Sequence, residues 1–142
     1  MQLGCNGCSL LMFLSLLYFL SEIKYWSLVL SRMPEKVCIA CQADAEPASE
    51  EEIQQFVSST DWSLINESGV TQLFRKYNFS DFEKALIFTN KVGEIAEEEG
   101  HHPKIITEWG SVKVYWWSHK IKKIHLNDLI LAARCDVGFS SI

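Results

Sequence analysis

This sequence predicts an α+β domain of two layers: a four-stranded antiparallel sheet with three helices gathered on one face. Three observations carry that expectation. Apolar residues at three- and four-residue steps alternate with short β-rich runs, in the order α-β-β-α-β-β-α. The β-rich runs come in pairs joined by turn residues, Glu67-Ser68-Gly69 and Trp109-Gly110-Ser111, which read as antiparallel hairpins. The chain is also of one-domain size: 142 residues, 48% hydrophobic, with only 3 Pro and 7 Gly. That composition excludes a disordered or collagen-like chain, and no internal period marks a repeat protein.

The elements follow in order. Ser49 can cap a helix, and Glu52 three residues on completes a capping box. Ile53, Phe56 and Val57 give that helix one apolar stripe, and it should end near Ser59. Asp61–Asn66 and Thr71–Tyr77 are the first strand pair. Ser80 and Glu83 form a second capping box and open the clearest helix. In it Phe82, Ala85, Leu86, Val92, Ile95 and Ala96 recur at helical steps to about Glu99, where Gly100 stops it. Lys104–Trp109 and Val112–Trp117 are the second strand pair. There Val112, Val114 and Trp116 alternate with Lys113, Tyr115 and Trp117, so one face is more apolar. A last helix opens at Leu126 or Asn127 and carries Leu129, Ile130, Ala132 and Ala133.

The N-terminal end differs from the rest. Residues 1–20 carry no charge, and Leu10 to Leu20 is nearly all apolar. No Lys or Arg precedes that run and no clean small-x-small cleavage site follows it. Its apolar core of roughly a dozen residues is short of the ~20 that span a bilayer. We therefore expect residues 1–32 to be an extension upstream of the functional domain, residues 33–142, with Met33 as the working start. A membrane or export role and an extra packed helix are the alternatives.

With 13 basic and 18 acidic residues the net charge is −5. So acidic a domain lacks the basic stripe that phosphate-backbone binding requires, which argues against nucleic acid as a direct partner. Five cysteines, an odd number without a disulfide-like framework, suit a reducing compartment, and the expected location is cytoplasmic. Cys38-Ile39-Ala40-Cys41 is a single CxxC, a weak zinc signal, and it lacks the βαβ setting of a thioredoxin-like site. A structural role is expected there, with redox or metal binding as the alternative.

The chemistry concentrates in one stretch. Three of the 4 histidines, His101, His102 and His119, flank the second hairpin. If Gly110 and Ser111 form its loop, Trp109 pairs with Val112 and His102 falls opposite His119. Glu97, Glu98 and Glu99 occupy the last helical turn, where the macrodipole disfavours negative charge. Acids placed against the dipole beside histidines can orient them or tune their basicity; a solvated acidic helix end is the bland alternative. An imidazole exchanges protons near neutral pH, so three in a cleft suit a reaction that adds one proton and removes another. Zinc ligation fits less well, because His101 and His102 are chain neighbours and cannot share one side of a helix. No metal is expected. Trp62, Trp109, Trp116 and Trp117 are core or interface residues by default, though one near the histidines could stack on a flat heterocycle. His125 is expected at the surface.

The run from Glu97 to Asp128 resembles the pterin-4a-carbinolamine dehydratase family. Its pattern is an acidic residue, three residues, His-His-Pro, an aromatic after five more, a His ten on and an Asp nine further. Glu97, His101-His102-Pro103, Trp109, His119 and Asp128 meet it. The helix ALIFTNKVGEIAEEEG and the strand VYWWSH are similar to bacterial members that serve a phenylalanine hydroxylase, and the likeness covers about residues 36–138. Residues 1–32 have no counterpart there. The resemblance implies loss of water from 4a-hydroxytetrahydrobiopterin to give quinonoid dihydropterin, recycling the spent cofactor of aromatic amino-acid hydroxylases. It also implies His101 and His119 as the acid/base pair, His101 being the base, with His102 binding and orienting the pterin edge. Glu97 would tune the histidines, Trp62 would line the pocket, and Asp128, Pro103 and Trp109 would be anchoring residues. The pterin is the substrate, so no metal or organic cofactor is implied. A homodimer or homotetramer is expected. Animal members also act as dimerisation cofactors for a transcription factor, which makes a protein-binding module the alternative function.

Overall fold

The computed structural model describes residues 25, 28–29, 31–38 and 46–142. The apolar run before Ser21 and the second cysteine of the CxxC, Cys41, lie outside the described residues. Among the described residues no helix is long and apolar enough to cross a membrane.

After a short 3-10 turn at Met33–Glu35, the order is α1 (Glu50–Ser58), β1 (Ser63–Glu67), β2 (Val70–Asn78), α2 (Phe82–Glu99), β3 (Lys104–Glu108), β4 (Ser111–Trp116) and α3 (Leu126–Phe139). The four strands form one antiparallel sheet in the order β1-β2-β4-β3. This is the α+β architecture that the pattern of apolar periods predicts. One sheet face carries Leu73, Tyr77, Val112, Val114 and Trp116, all fully buried. Phe56 of α1, Phe88 and Val92 of α2 and Leu129 to Ala132 of α3 pack into the same core.

Local chemistry explains most element boundaries. Ser49 and Glu52 make the expected capping box, with Ser49 Oγ accepting from the Glu52 N–H at 3.2 Å and Glu52 Oε2 accepting from the Ser49 N–H at 2.9 Å. The cap of α2 is one residue later than expected. Asp81 accepts from the Lys84 N–H at 2.8 Å, while Ser80 donates to Asp81 instead of capping. An ionised carboxylate is the stronger acceptor for an orphan helical N–H, so it displaces the neighbouring hydroxyl. Phe82 and Leu86 were expected in the core but are exposed, and the buried aromatic is Phe88. The buried set Ala85, Phe88, Val92, Ile95 and Ala96 still keeps three- and four-residue spacing, on a stripe rotated from the expected one.

The hairpin loops are both two residues long. Ser68 and Gly69 have φ of 53° and 80°, the paired positive values of a type I′ turn. The second loop is Trp109-Gly110, not Gly110-Ser111, because Glu108 pairs with Ser111. Gly110 has φ 72° and its carbonyl accepts from the Phe79 N–H at 2.8 Å. A Cβ there would lie 3.2 Å from the Phe79 carbonyl oxygen, so the loop must place glycine at that point. The partner of each β3 residue therefore moves by two positions on β4. A two-residue slip preserves which face every side chain takes.

Candidate functional site

The site lies where the C-terminal end of α2, the start of β3 and the loop between β4 and α3 meet. Gly100, at φ 58°, ends α2 in the left-handed cap, and its N–H returns to the Glu97 carbonyl while the His101 N–H returns to Ala96. That cap turns the chain sharply into His101-His102-Pro103 and then β3. Pro103, half-buried, cannot extend the helix and delivers the chain in extended form.

His101 is buried, 5% exposed, and stacks on Trp116 with ring centroids 5.6 Å apart and planes 6° from parallel. Its Nε2 is 2.6 Å from Oδ1 of Asp128, which is fully buried. Asp128 Oδ2 accepts from the His125 N–H at 2.7 Å and from Ser118 Oγ at 3.2 Å. Three donors thus converge on one carboxylate, which ties β3, the β4–α3 loop and the start of α3 to one imidazole. An ionised carboxylate only accepts, so Nε2 of His101 carries the proton and Nδ1 is the basic atom of the neutral ring.

His102 and His119 are exposed. His102 Nε2 is 2.9 Å from Oε1 of Glu97, and His119 Nε2 donates to the His102 carbonyl at 3.2 Å. The His119 ring lies 4.3 Å from that of Trp117, at 42°. By the same reasoning each of these rings donates through Nε2 and keeps Nδ1 as its basic nitrogen. The structure brings together Glu97, His101, His102, His119 and Asp128. The convergence does not come from His102 facing His119 across the hairpin. The register that pairs Lys104 with Tyr115, carried two residues past that pair, sets His102 level with Trp117, and His119 Nε2 donates to the His102 carbonyl.

Two expected residues take other places. Trp62 is buried and donates from Nε1 to Asp136 at 3.1 Å. Asp136 is eight residues, about 12 Å, further along α3 than Asp128, so Trp62 belongs to a core network and does not line this site. Trp109 is 74% exposed at the tip of the β3–β4 loop. His125 was expected at the surface but is buried at the N-cap of α3, with Nδ1 accepting from the Asn127 N–H at 3.1 Å and Asp128 closing a capping box. Its spacing three before Asp128 is the sequence signal that was missed. Ser118 and Trp116 were also missed as supports. Trp116 is legible as such from its place on the apolar face of β4.

Glu99 of the acidic triplet leaves the site and pairs with Arg134 at 2.6 Å. Arg134 also donates to the Pro34 and Lys36 carbonyls, fastening the 33–36 turn, whose Met33 is buried, to α3. Cys38 is half-buried against the core. Among the described residues no group of three or more His, Cys, Asp and Glu is arranged to hold a metal ion. Two clefts of about 560 and 590 Å³ lie elsewhere, around Arg32 and Phe56 and around Ile53 and Lys122, and none of the three histidines lines them.

Comparison with known proteins points to one family. Residues 46–137 match the family model described as pterin 4 alpha carbinolamine dehydratase. A protein of Chlorobaculum tepidum, provisionally named pterin-4-alpha-carbinolamine dehydratase, is 46% identical over 108 residues, covering 75% of this chain and 97% of the relative. A protein of Syntrophotalea carbinolica with the same provisional name is 50% identical over 108 residues, 75% of this chain and 96% of the relative. Among solved structures, one described as a transcriptional coactivator/pterin dehydratase from Brucella melitensis superposes with a TM-score of 0.60. It is 22% identical and covers 66% of this chain and 98% of that one, a likeness of fold.

Proposed function

This chain belongs to the pterin-4-alpha-carbinolamine dehydratase family, and on that premise we propose that it is a hydro-lyase that dehydrates 4a-hydroxytetrahydrobiopterin to quinonoid dihydropterin. In that reaction the bond between C4a and its hydroxyl breaks, the oxygen leaves as water with an added proton, and N5 gives up its proton as the C4a=N5 double bond forms. One acid and one base suffice. The pterin's own nitrogen supplies the electron pair, so the chemistry calls for neither a metal nor an organic cofactor.

The observation that carries this reading is the grouping of three imidazoles, each donating through Nε2 to an oxygen of the chain. We assign His101 and His119 as the proton-transferring pair, with His101 as base. Asp128 supports that assignment, because a buried carboxylate on Nε2 fixes the tautomer and stabilises the imidazolium formed when Nδ1 takes a proton. His102, exposed and paired with Glu97, binds and orients the pterin edge. Asp128 acts through His101 and is a positioning residue.

The proposed setting is the cytoplasm, the proposed assembly is a homodimer or homotetramer, and the proposed task is cofactor recycling for an aromatic amino-acid hydroxylase. The test is to add catalytic amounts of the chain to such a hydroxylase during turnover. The ultraviolet absorbance of the accumulated 4a-hydroxy species should fall well below the level reached without the chain. An accumulation identical with and without the chain would oppose the reading.

A further inference from the structure

Gln72 is 4% exposed, and its Oε1 has no hydrogen-bond partner among the described residues. Leaving a buried amide oxygen unpaired forfeits the hydration it had in the unfolded chain, and native structures leave few such groups without a reason. The position of Gln72 in the sheet supplies one. Leu73 pairs with Trp116, and Lys104 pairs with Tyr115. Continuing the ladder one step past Leu73–Trp116, Gln72, Trp117 and His102 follow one another across β2, β4 and β3. Leu73 and Trp116 face the core, so strand alternation turns Gln72 and Trp117 to the other side. On that side Trp117 is half-buried and holds its ring 4.3 Å from His119. The unpaired acceptor thus falls beside the indole in the register, and the indole in turn touches one exposed imidazole.

We infer that Gln72 and Trp117 form the wall that recognises the pyrimidine end of the pterin, Trp117 by stacking on the flat ring and Gln72 Oε1 by accepting one of its N–H groups. The inference rests on the pterin reading of the histidine site. A pterin offers what this wall lacks: a planar heterocycle for the indole, and amino and ring N–H donors for an oxygen whose desolvation has already been incurred. The same wall would disfavour a bicyclic ring that presents only acceptors on that edge, which makes Gln72 a specificity residue.

The test uses the full chain, with Gln72→Leu and Gln72→Met removing the acceptor at near-constant size. Binding of a stable 7,8-dihydropterin is followed by tryptophan fluorescence, with dehydratase turnover and thermal unfolding measured in parallel. Losing one neutral hydrogen bond should raise Kd and KM about three- to tenfold, with Tm equal or higher because no orphaned acceptor remains. Trp117→Leu should weaken binding, and Trp117→Phe should restore much of it. Unchanged Kd and KM in the Gln72 variants, with a wild type that binds and turns over, would overturn the inference. A lowered Tm accompanying weakened binding in both Gln72 variants would show a structural role and overturn it as well. A wild type that neither binds nor turns over would bring down the dehydratase reading and this wall with it.

Discussion

His101 and Asp128 stand 27 residues apart in the chain and 2.6 Å apart in the fold, Nε2 to Oδ1, sealed from solvent. The carboxylate is bound on its other side by the His125 N–H and the Ser118 hydroxyl. One side chain thus caps a helix, holds the loop that carries His119, and sets the tautomer of His101.

Asp128→Asn tests that coupling. An amide keeps the shape, but one of its two arms donates, so it cannot accept from all three partners. We expect kcat to fall by about 10²-fold, at the lower end of what acid/base catalysis contributes. Stability should drop by about 1–3 kcal/mol as a buried donor loses its acceptor. Steady-state kinetics and urea midpoints measure the two losses; a variant as active as wild type would separate Asp128 from the chemistry.

Lys122, in the loop after His119, has φ 52°, a conformation in which a Cβ is strained. Lys122→Gly should stabilise the chain by about 1 kcal/mol, seen as a Tm a few degrees higher. A lower Tm would mean that the lysine side chain, not the backbone, sets the conformation.

Acid should weaken the start of α1. The backbone N–H and hydroxyl of Ser49 hold the Glu52 carboxyl below its ordinary value of 4.5. A depressed folded-state pKa adds stability that is complete above the ordinary value and is lost as pH falls through the depressed one. Ser49→Ala should cost about 1 kcal/mol at neutral pH. Its stability should also fall less between pH 5 and pH 3 than that of wild type. Parallel acid profiles for the two proteins would contradict the assignment.

Burial pushes the Cys135 thiol up to about 12. At neutral pH it is therefore a protonated core residue with almost no thiolate for alkylation. Peptide mapping after treatment with an alkylating reagent should find Cys135 unlabelled in the native protein and labelled in urea. Native labelling at the denatured rate would show that the core opens there.

The fold was legible because its signals are local. Apolar period, the Ser49–Glu52 box and the Gly100 stop each act within a turn of helix, and the elements follow from them. The grouping of His101, His102 and His119 was legible at the level of residue type and hairpin proximity. What escaped depended on contacts between distant segments. The loop register turned on Phe79 approaching Gly110, and the burial of Trp62 turned on Asp136, 74 residues away. His125 looked like a surface residue because the capping box that buries it shares its carboxylate with His101.

The most direct measurement is stopped-flow decay of 4a-hydroxytetrahydrobiopterin, with the chain at catalytic concentration beside the His101→Ala, His119→Ala double variant. We expect acceleration by wild type that is lost in the variant, while circular dichroism shows the same fold in both. Decay at the uncatalysed rate with folded wild type, or equal acceleration by the double variant, would contradict a histidine acid/base dehydratase at this site.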